Sequence, residues 1–250
     1  MTPRERMKAV MNFHRPDVLP WIESIYDETV LTWFRQGLPP EKIVVVEWEV
    51  GRGGTSLCNW PTVRGFDPYS YFGCQSLSGA VVPVDIGPIP RYKLTVLEED
   101  ERYVTILTET GAVAKRIKGE ERTWYSMPMF MEFPVKDRKT WDEYKKRLNP
   151  NDPRRYPKDW NKDDYIAAYE NYQRGITTIR FNGFYGFAAE LMGITRFNLM
   201  LYKEPELIHD MANHWDYYVT ETLRDAVETL KDRIDMVFWW EDMADKHGPL

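Results

Sequence analysis

Two short apolar segments in the last third of the chain have the pattern of buried strands. Residues 176–182 read ITTIRFN and residues 235–240 read DMVFWW, and polar or turn-forming residues bound each run. Between them, apolar side chains recur at every third or fourth position from Pro205 to Leu230, which is the spacing of one face of a long helix. A strand, a helix and a strand in this order predict a βαβ unit with parallel strands.

A different pattern fills residues 91–126, where apolar and polar positions alternate and the turn sequences EEDE, ETG and KGEE interrupt the alternation. This period of two predicts an antiparallel meander of three or four strands, inserted in the main domain. Residues 43–70 combine a β-branched run, KIVVVEWEV, with the glycine-rich GRGG. Because GRGG lacks the GK[ST] of a phosphate-binding loop, it indicates a surface insertion.

Helix starts are also visible in the sequence. Thr2 and Glu5 have the spacing of a capping box, so a first helix is expected directly after Thr2. A second helix is predicted from about Glu28 to Gln36. Thr140 and Glu143 have the same capping spacing and predict that another helix starts at Thr140.

Composition and charge narrow the classes of function. The net charge is −6 without a block of basic residues, which argues against nucleic-acid binding. No run of 18 apolar residues is present and the first ten residues lack an apolar signal core, so we expect a cytoplasmic protein with no membrane span. Cys58 and Cys74 are expected to be a reduced pair, with a disulfide as the alternative.

Candidate site residues follow the predicted strands, because ligands of parallel α/β folds bind where the strands deliver their carboxyl ends. Two adjacent carboxylates in a cleft can titrate apart, so either acid of the last pair is a candidate catalytic group. The alternative is structural: one acid caps a helix starting at Met243 or Ala244, and the other pairs with an arginine. The expected catalytic residues are Asp242 and Glu241, and the expected substrate-binding residues are Tyr26, Asn182 and Tyr185.

Metal-binding and other catalytic patterns are sparse. The chain contains no HxH, HxxxH or CxxC spacing, so no complete zinc site is predicted from it, and no nucleophile elbow is present. A further hypothesis pairs Glu47 with Glu241 as the two carboxylates of a glycosidase.

Several segments in combination resemble the uroporphyrinogen decarboxylase superfamily over nearly the whole chain. They are TPRERMKAVMNFHRPDVLPW, FRQGLP, VPVDIGPIPRY, GFYGFAAELMGI, LYKEPELIHDM and EDMADKHGPL. The resemblance implies a single domain over residues 1–250 with the α/β fold of a (β/α)8 TIM barrel, elaborated by an antiparallel hairpin insertion at 91–126. Only about three strand–helix units can be counted beside the insertions, so the barrel is expected to be truncated at its C-terminus.

The activity that this resemblance implies depends on details of the motifs. The decarboxylase carries an arginine-rich motif after its first strand, and this chain has WIESIYDETV there. We therefore expect a methyltransferase that acts with a corrinoid protein on a small methylated compound. Its zinc, bound in the family through a His-x-Cys motif, would use residues beyond Leu250. The alternatives are a porphyrin-pathway decarboxylase and an inactive fragment or partner subunit. The unpaired edge of MVFWW predicts self-association or a second chain as partner.

Overall fold

The computed structural model describes residues 1–38, 45–50, 59–76, 80–117, 128–161, 163–241, 243–245 and 247–249. The helices in these ranges are α1 (Pro3–Met11), α2 (Asp27–Arg35), α3 (Pro68–Phe72), α4 (Arg138–Lys145), α5 (Asp163–Asn171), α6 (Phe184–Met192), α7 (Ile194–Lys203) and α8 (Pro205–Leu230). The strands are β1 (Ile22–Glu23), β2 (Val45–Val50), β3 (Asn59–Arg64), β4 (Gln75–Ser76), β5 (Ala80–Val81), β6 (Thr95–Glu99), β7 (Tyr103–Leu107), β8 (Val113–Ile117), β9 (Met129–Glu132), β10 (Thr177–Asn182), β11 (Met236–Trp240), β12 (Ala244–Asp245) and β13 (Gly248–Pro249).

The largest parallel sheet among the described residues has three strands in the order β11-β10-β5. Strand β10 lies in the centre, pairing with β11 from Thr178–Met236 to Asn182–Trp240 and with β5 at its beginning. The prediction of parallel strands at 176–182 and 235–240, joined by helices, is therefore confirmed. A second parallel pair, β1 with β4, forms a separate two-stranded sheet.

The remaining sheets are antiparallel. Strands β6, β7, β8 and β9 form a four-stranded meander, and the first three lie within 91–126, so the antiparallel pattern predicted there is confirmed for the part of that stretch that is described. Residues 118–127 lie outside the described residues. Strands β2 and β3 pair antiparallel with each other, and β12 pairs with β13.

The predicted (β/α)8 barrel, truncated or not, is wrong. A barrel needs a parallel ladder of eight strands that closes on itself. In the described ranges the strands divide into five separate sheets, and the longest parallel ladder has three strands. The physical reason is that the strands of the insertions pair through short connections with their own sequence neighbours, which produces antiparallel hairpins and leaves few strands for parallel pairing.

The core lies between the helices and one face of β10. Along α8 the predicted apolar stripe is buried, with Met211 and Tyr218 fully enclosed, while Val227 is half exposed. Trp215 stacks on Phe187 of α6 with ring centroids 3.9 Å apart. This packing holds α6 and α8 against the sheet, so it fixes the place where α6 begins beside the strand ends.

Helix α1 starts as predicted, because the Thr2 side chain accepts from the Glu5 amide and the Glu5 carboxylate accepts from the Thr2 amide. The start predicted at Thr140 is wrong. Asp137 is the N-cap of α4, and Thr140 is the third helical residue of that capping box. Aspartate accepts well at an N-cap and lies three residues before a threonine that returns the hydrogen bond, so the box is shifted relative to the expected one. Among the described helices, none is long and apolar enough to cross a bilayer.

Candidate functional site at the carboxyl ends of the parallel strands

Glu241 follows β11 directly and reaches across to the first turn of α6. Its Oε1 accepts from the Tyr185 amide at 3.1 Å, and its Oε2 accepts from the Gly186 amide at 2.8 Å. The N-cap residue of α6, Gly183, has no side chain that could supply this cap. A carboxylate at this end of a helix satisfies otherwise unpaired amides and interacts favourably with the helix dipole.

Gly183 is the residue that allows the carboxylate to come so close. A Cβ built on Gly183 would lie 2.0 Å from Oε1 of Glu241 and 2.2 Å from its Cδ. The backbone at Gly183 has φ −70° and ψ 174°, which any residue adopts, so glycine is required here for space and not for conformation. The Gly183 amide also donates to the Trp240 carbonyl at 2.8 Å, which continues the pairing of β10 with β11 past the strand ends.

These contacts give Glu241 the capping role of the structural alternative, but at a different helix. Both of its carboxylate oxygens cap α6, which is a structural function. The alternative given above placed this cap on a helix starting at Met243 or Ala244. Met243 and Ala244 do not start a helix, since Ala244 belongs to the short strand β12. The other predicted acid, Asp242, lies outside the described residues.

The predicted binding residues fall in two places. Asn182 ends β10, and Tyr185 lies in the first turn of α6, so both are next to Glu241. The Tyr185 ring packs edge-on against Phe197 at 5.2 Å, and its hydroxyl oxygen is buried without a hydrogen-bond partner in the described structure. Tyr26 follows β1, which belongs to the separate β1–β4 sheet, and its side chain is exposed. The structure therefore groups Asn182, Tyr185 and Glu241, and it places Tyr26 at the start of α2, next to a different sheet.

The two faces of the parallel sheet differ in character. Ile179 lies in the helix-packed core and Phe181 packs against it, so alternate residues of β10 face the helices. Thr178, Arg180 and Asn182 occupy the other face. There Thr178 is fully buried, whereas Arg180 and Asn182 are only half-buried, so this face opens toward the carboxyl ends of the strands.

Arg180 is the functional candidate that our sequence reasoning missed. It pairs in register with Phe238 of β11, and its guanidinium carbon lies 5.1 Å from the centre of the Phe238 ring. The next pair on this face is Asn182 with Trp240, whose side chain is 51% exposed. The sequence signal for Arg180 is a charged residue between two apolar ones, Ile179 and Phe181, in a predicted buried strand. These side chains place a guanidinium, an amide and two aromatic rings on one face of the sheet, and a small aromatic anion matches that chemistry.

The opposite ends of the strands are closed by a salt bridge. Asp235, whose side chain is 2% exposed, accepts from Arg4 Nε at 2.9 Å, from Lys8 Nζ at 3.1 Å and from the Thr177 amide at 2.9 Å. Burial acts to raise the pKa of Asp235, but the hydrogen bonds from Arg4, Thr177 and Lys8 outweigh it and hold that pKa below its usual value. This arrangement joins α1 to the sheet and is structural.

A second polar cluster lies between α4 and α8. Asp210 accepts from Trp141 Nε1 at 2.7 Å, Arg138 Nη1 at 2.9 Å and Lys145 Nζ at 3.0 Å. Close by, the His214 ring packs edge-on against Trp141 at 5.7 Å. Burial, reinforced by the charge of Lys145, lowers the pKa of His214 below its ordinary value. The cluster is remote in sequence from the strand ends, and it links the two helices.

A protein-bound zinc ion does not fit the part of the chain that is described. No group of three or more His, Cys, Asp or Glu side chains in it converges as metal ligands would. Cys74 is buried, and this burial raises the pKa of its thiol, whereas Cys58 lies outside the described residues. A scan against protein-family models, a search of curated proteins and a search of solved structures each found no match to this chain.

Proposed function

We propose that this protein is a methyltransferase that takes the methyl group of a small methoxylated aromatic acid and acts with a corrinoid protein as acceptor. The observation that carries the binding part of the proposal is the pairing of Arg180 with Phe238 on the sheet face that opens at the carboxyl ends of the strands. Methyl transfer and the corrinoid partner come from the resemblance of the sequence to the uroporphyrinogen decarboxylase superfamily. A cytoplasmic location belongs to the same proposal.

The charge on this face favours an anionic substrate. An arginine guanidinium binds a carboxylate with two parallel hydrogen bonds, and it disfavours a methylamine, which carries the same charge as the arginine. An aromatic ring beside the carboxylate can stack on Phe238 or on the exposed Trp240, in the geometry that aromatic pairs prefer. Of the two substrate classes considered for a methyltransferase, methoxylated compounds and methylamines, the first suits Arg180 better.

The alternatives receive less support from the geometry. A decarboxylase for an eight-carboxylate substrate needs several cationic side chains, and strands β5, β10 and β11 contribute one arginine, Arg180. A glycosidase would need Glu47 and Glu241 at adjacent strand ends. Glu47 belongs to β2, which pairs antiparallel with β3 in its own sheet, and the Glu241 carboxylate caps α6.

Substrate binding is tested with 4-methoxybenzoate as the probe, titrated into the full chain and followed by calorimetry and tryptophan fluorescence. Arg180→Gln should weaken binding at least about tenfold, because a charge-assisted bidentate contact contributes more than 1.4 kcal/mol. Arg224→Gln is the matched control, since Arg224 is an exposed arginine of α8 paired with Glu221. Equal affinities of the two variants, or equal binding of uncharged methoxybenzene, would contradict the assignment of Arg180.

Methyl transfer is tested separately by incubating the chain with 4-methoxybenzoate and free cob(I)alamin as acceptor and measuring 4-hydroxybenzoate. We expect product formation that depends on Arg180. Binding that requires Arg180 without any product would leave the ligand site in place and refute the methyltransferase activity of this chain.

A further inference from the structure

Strand β11 is an edge of the parallel sheet, and its apolar side chains are exposed on both faces. In the sheet order it pairs with β10 on one side only, and no other described strand pairs with it. On the helix-side face, Val237 is 47% and Trp239 is 59% exposed, and on the other face Trp240 is 51% exposed. A strand that is apolar on both faces is typical of the interior of a sheet.

The usual protections of a sheet edge are missing from β11. Natural edges carry charged side chains, prolines or bulges that prevent another strand from pairing, whereas Met236–Trp240 contains no charge and no proline. The acids that flank the strand do not protect it either. Asp235 is buried against Arg4, and Glu241 turns its carboxylate to the amides of α6. Despite the net charge of −6, this edge presents no described carboxylate that would repel a second copy.

The sequence of β11 is self-complementary in antiparallel pairing. When two copies pair about Phe238, Val237 of one copy lies opposite Trp239 of the other, and Met236 lies opposite Trp240. Each of these contacts joins an aromatic and an aliphatic side chain, and Phe238 lies opposite its own copy at the centre; both combinations stabilise cross-strand pairs. The exposed parts of Trp239 and Trp240 together amount to about one whole tryptophan surface, roughly 250 Å². This is about a third of the roughly 800 Å² that a standard interface buries on each partner.

We propose that the edge of β11 is a homodimer interface, in which two copies pair their β11 strands antiparallel about Phe238. Two three-stranded sheets then become one continuous six-stranded sheet, and the exposed Val237 and Trp239 side chains of the two copies pack against each other. The partner is a second copy of this chain because the edge supplies its own complement in register and carries no charge that selects a different protein. The proposal does not depend on the methyltransferase activity.

The proposal is tested on the 250-residue chain by size-exclusion chromatography with light scattering. Analytical ultracentrifugation over a range of concentrations gives the dissociation constant. We expect a dimer at micromolar concentration. The double variant Val237→Lys with Trp239→Lys puts lysines directly opposite each other twice, so the dissociation constant should rise at least about tenfold. Val237→Lys with Trp239→Glu puts opposite charges together at the same two places and should restore the dimer.

Val227→Lys is the matched control, because Val227 is a half-exposed valine that belongs to α8 and not to the edge strand, and it should leave the dimer unchanged. Far-UV circular dichroism checks that every variant is folded. A parent chain that is monomeric at all concentrations overturns the proposal. A dimer that tolerates the lysine pair places the interface elsewhere, and an assembly larger than a dimer contradicts the closed twofold pairing. Equal weakening by the two double variants contradicts the register.

Discussion

Replacing Gly183 by alanine should separate α6 from the cap that Glu241 provides. The added Cβ would lie 2.0, 2.2 and 2.5 Å from Oε1, Cδ and Cγ of Glu241. Because three successive atoms of the side chain are too close, a small rotation of the carboxylate does not relieve the contact, and the whole group has to leave the helix end. The amides of Tyr185 and Gly186 then lose their acceptor.

The expected cost follows from what the cap contributes. Loss of a capping side chain destabilises a protein by about 1 kcal/mol, and loss of a favourable charge near the helix dipole adds about 0.5 kcal/mol or more. Alanine also has a small stabilising effect, because it restricts the unfolded chain more than glycine does and the backbone angles at position 183 are allowed for alanine. This effect contributes about 0.4–1 kcal/mol. We therefore expect Gly183→Ala to lower the free energy of unfolding by about 1 kcal/mol.

A double-mutant cycle isolates the contact. In a Glu241→Ala background the clash is absent, so Gly183→Ala should be neutral or slightly stabilising, and the coupling between the two positions should be about 1–2 kcal/mol. Urea unfolding followed by circular dichroism measures all four proteins. Gly186→Ala is the control, because its Cβ would come no closer than 3.4 Å to another atom and alanine favours the helix. Additive effects at Gly183 and Glu241 would refute the cap.

Three further predictions concern ionisable side chains. Asp235→Asn should destabilise the protein by about 3 kcal/mol, because the Arg4 guanidinium loses its anionic partner. The pKa of Asp235 is lowered on folding, so its contribution in the parent is present above about pH 4 and is lost as the pH falls through the folded pKa. Acid titration of stability measures this loss. Burial and Lys145 lower the pKa of His214 in the folded protein, so protonation of His214 favours unfolding. The urea midpoint should therefore fall as the pH drops below about 6.5. His214→Gln should make the urea midpoint less dependent on pH. Arg155 is 1% exposed and donates to four backbone carbonyls, so Arg155→Lys should cost about 3 kcal/mol in the same urea assay, and an unchanged midpoint would contradict its role.

Local patterns in the sequence were sufficient for several elements. The capping box at Thr2 is formed by residues three positions apart, and the apolar stripe that begins at Pro205 depends only on helical spacing, so neighbours in the chain determine both. The two strands 176–182 and 235–240 were also identified, because a long amphipathic helix between two apolar runs allows little besides a parallel crossover. Short turns between alternating segments likewise determined the antiparallel meander.

The sheet count and the site depended on contacts between distant parts of the chain. An apolar run predicts a strand, but it carries no information on how many strands pair in one ladder. The barrel prediction rested on the family resemblance, and the structure has separate sheets instead. Glu241 is 55 residues away from Gly186, whose helix amide it caps, so its position in the sequence predicts a catalytic carboxylate and gives no sign of this cap. Capping residues are recognisable from sequence only when they adjoin their helix.

Arg180 illustrates the same division. Its sequence position within TTIRFN showed that it occupies alternate places with Ile179 and Phe181, so the two sets of side chains had to face opposite ways. The packing of α6 and α8 decides which face of the sheet the helices cover. The register of β11 decides that Phe238 lies beside the guanidinium. Chain-local spacing determines which side chains share a face. The burial of that face and the residues it contacts are decided only when distant parts of the chain pack against it in the folded protein.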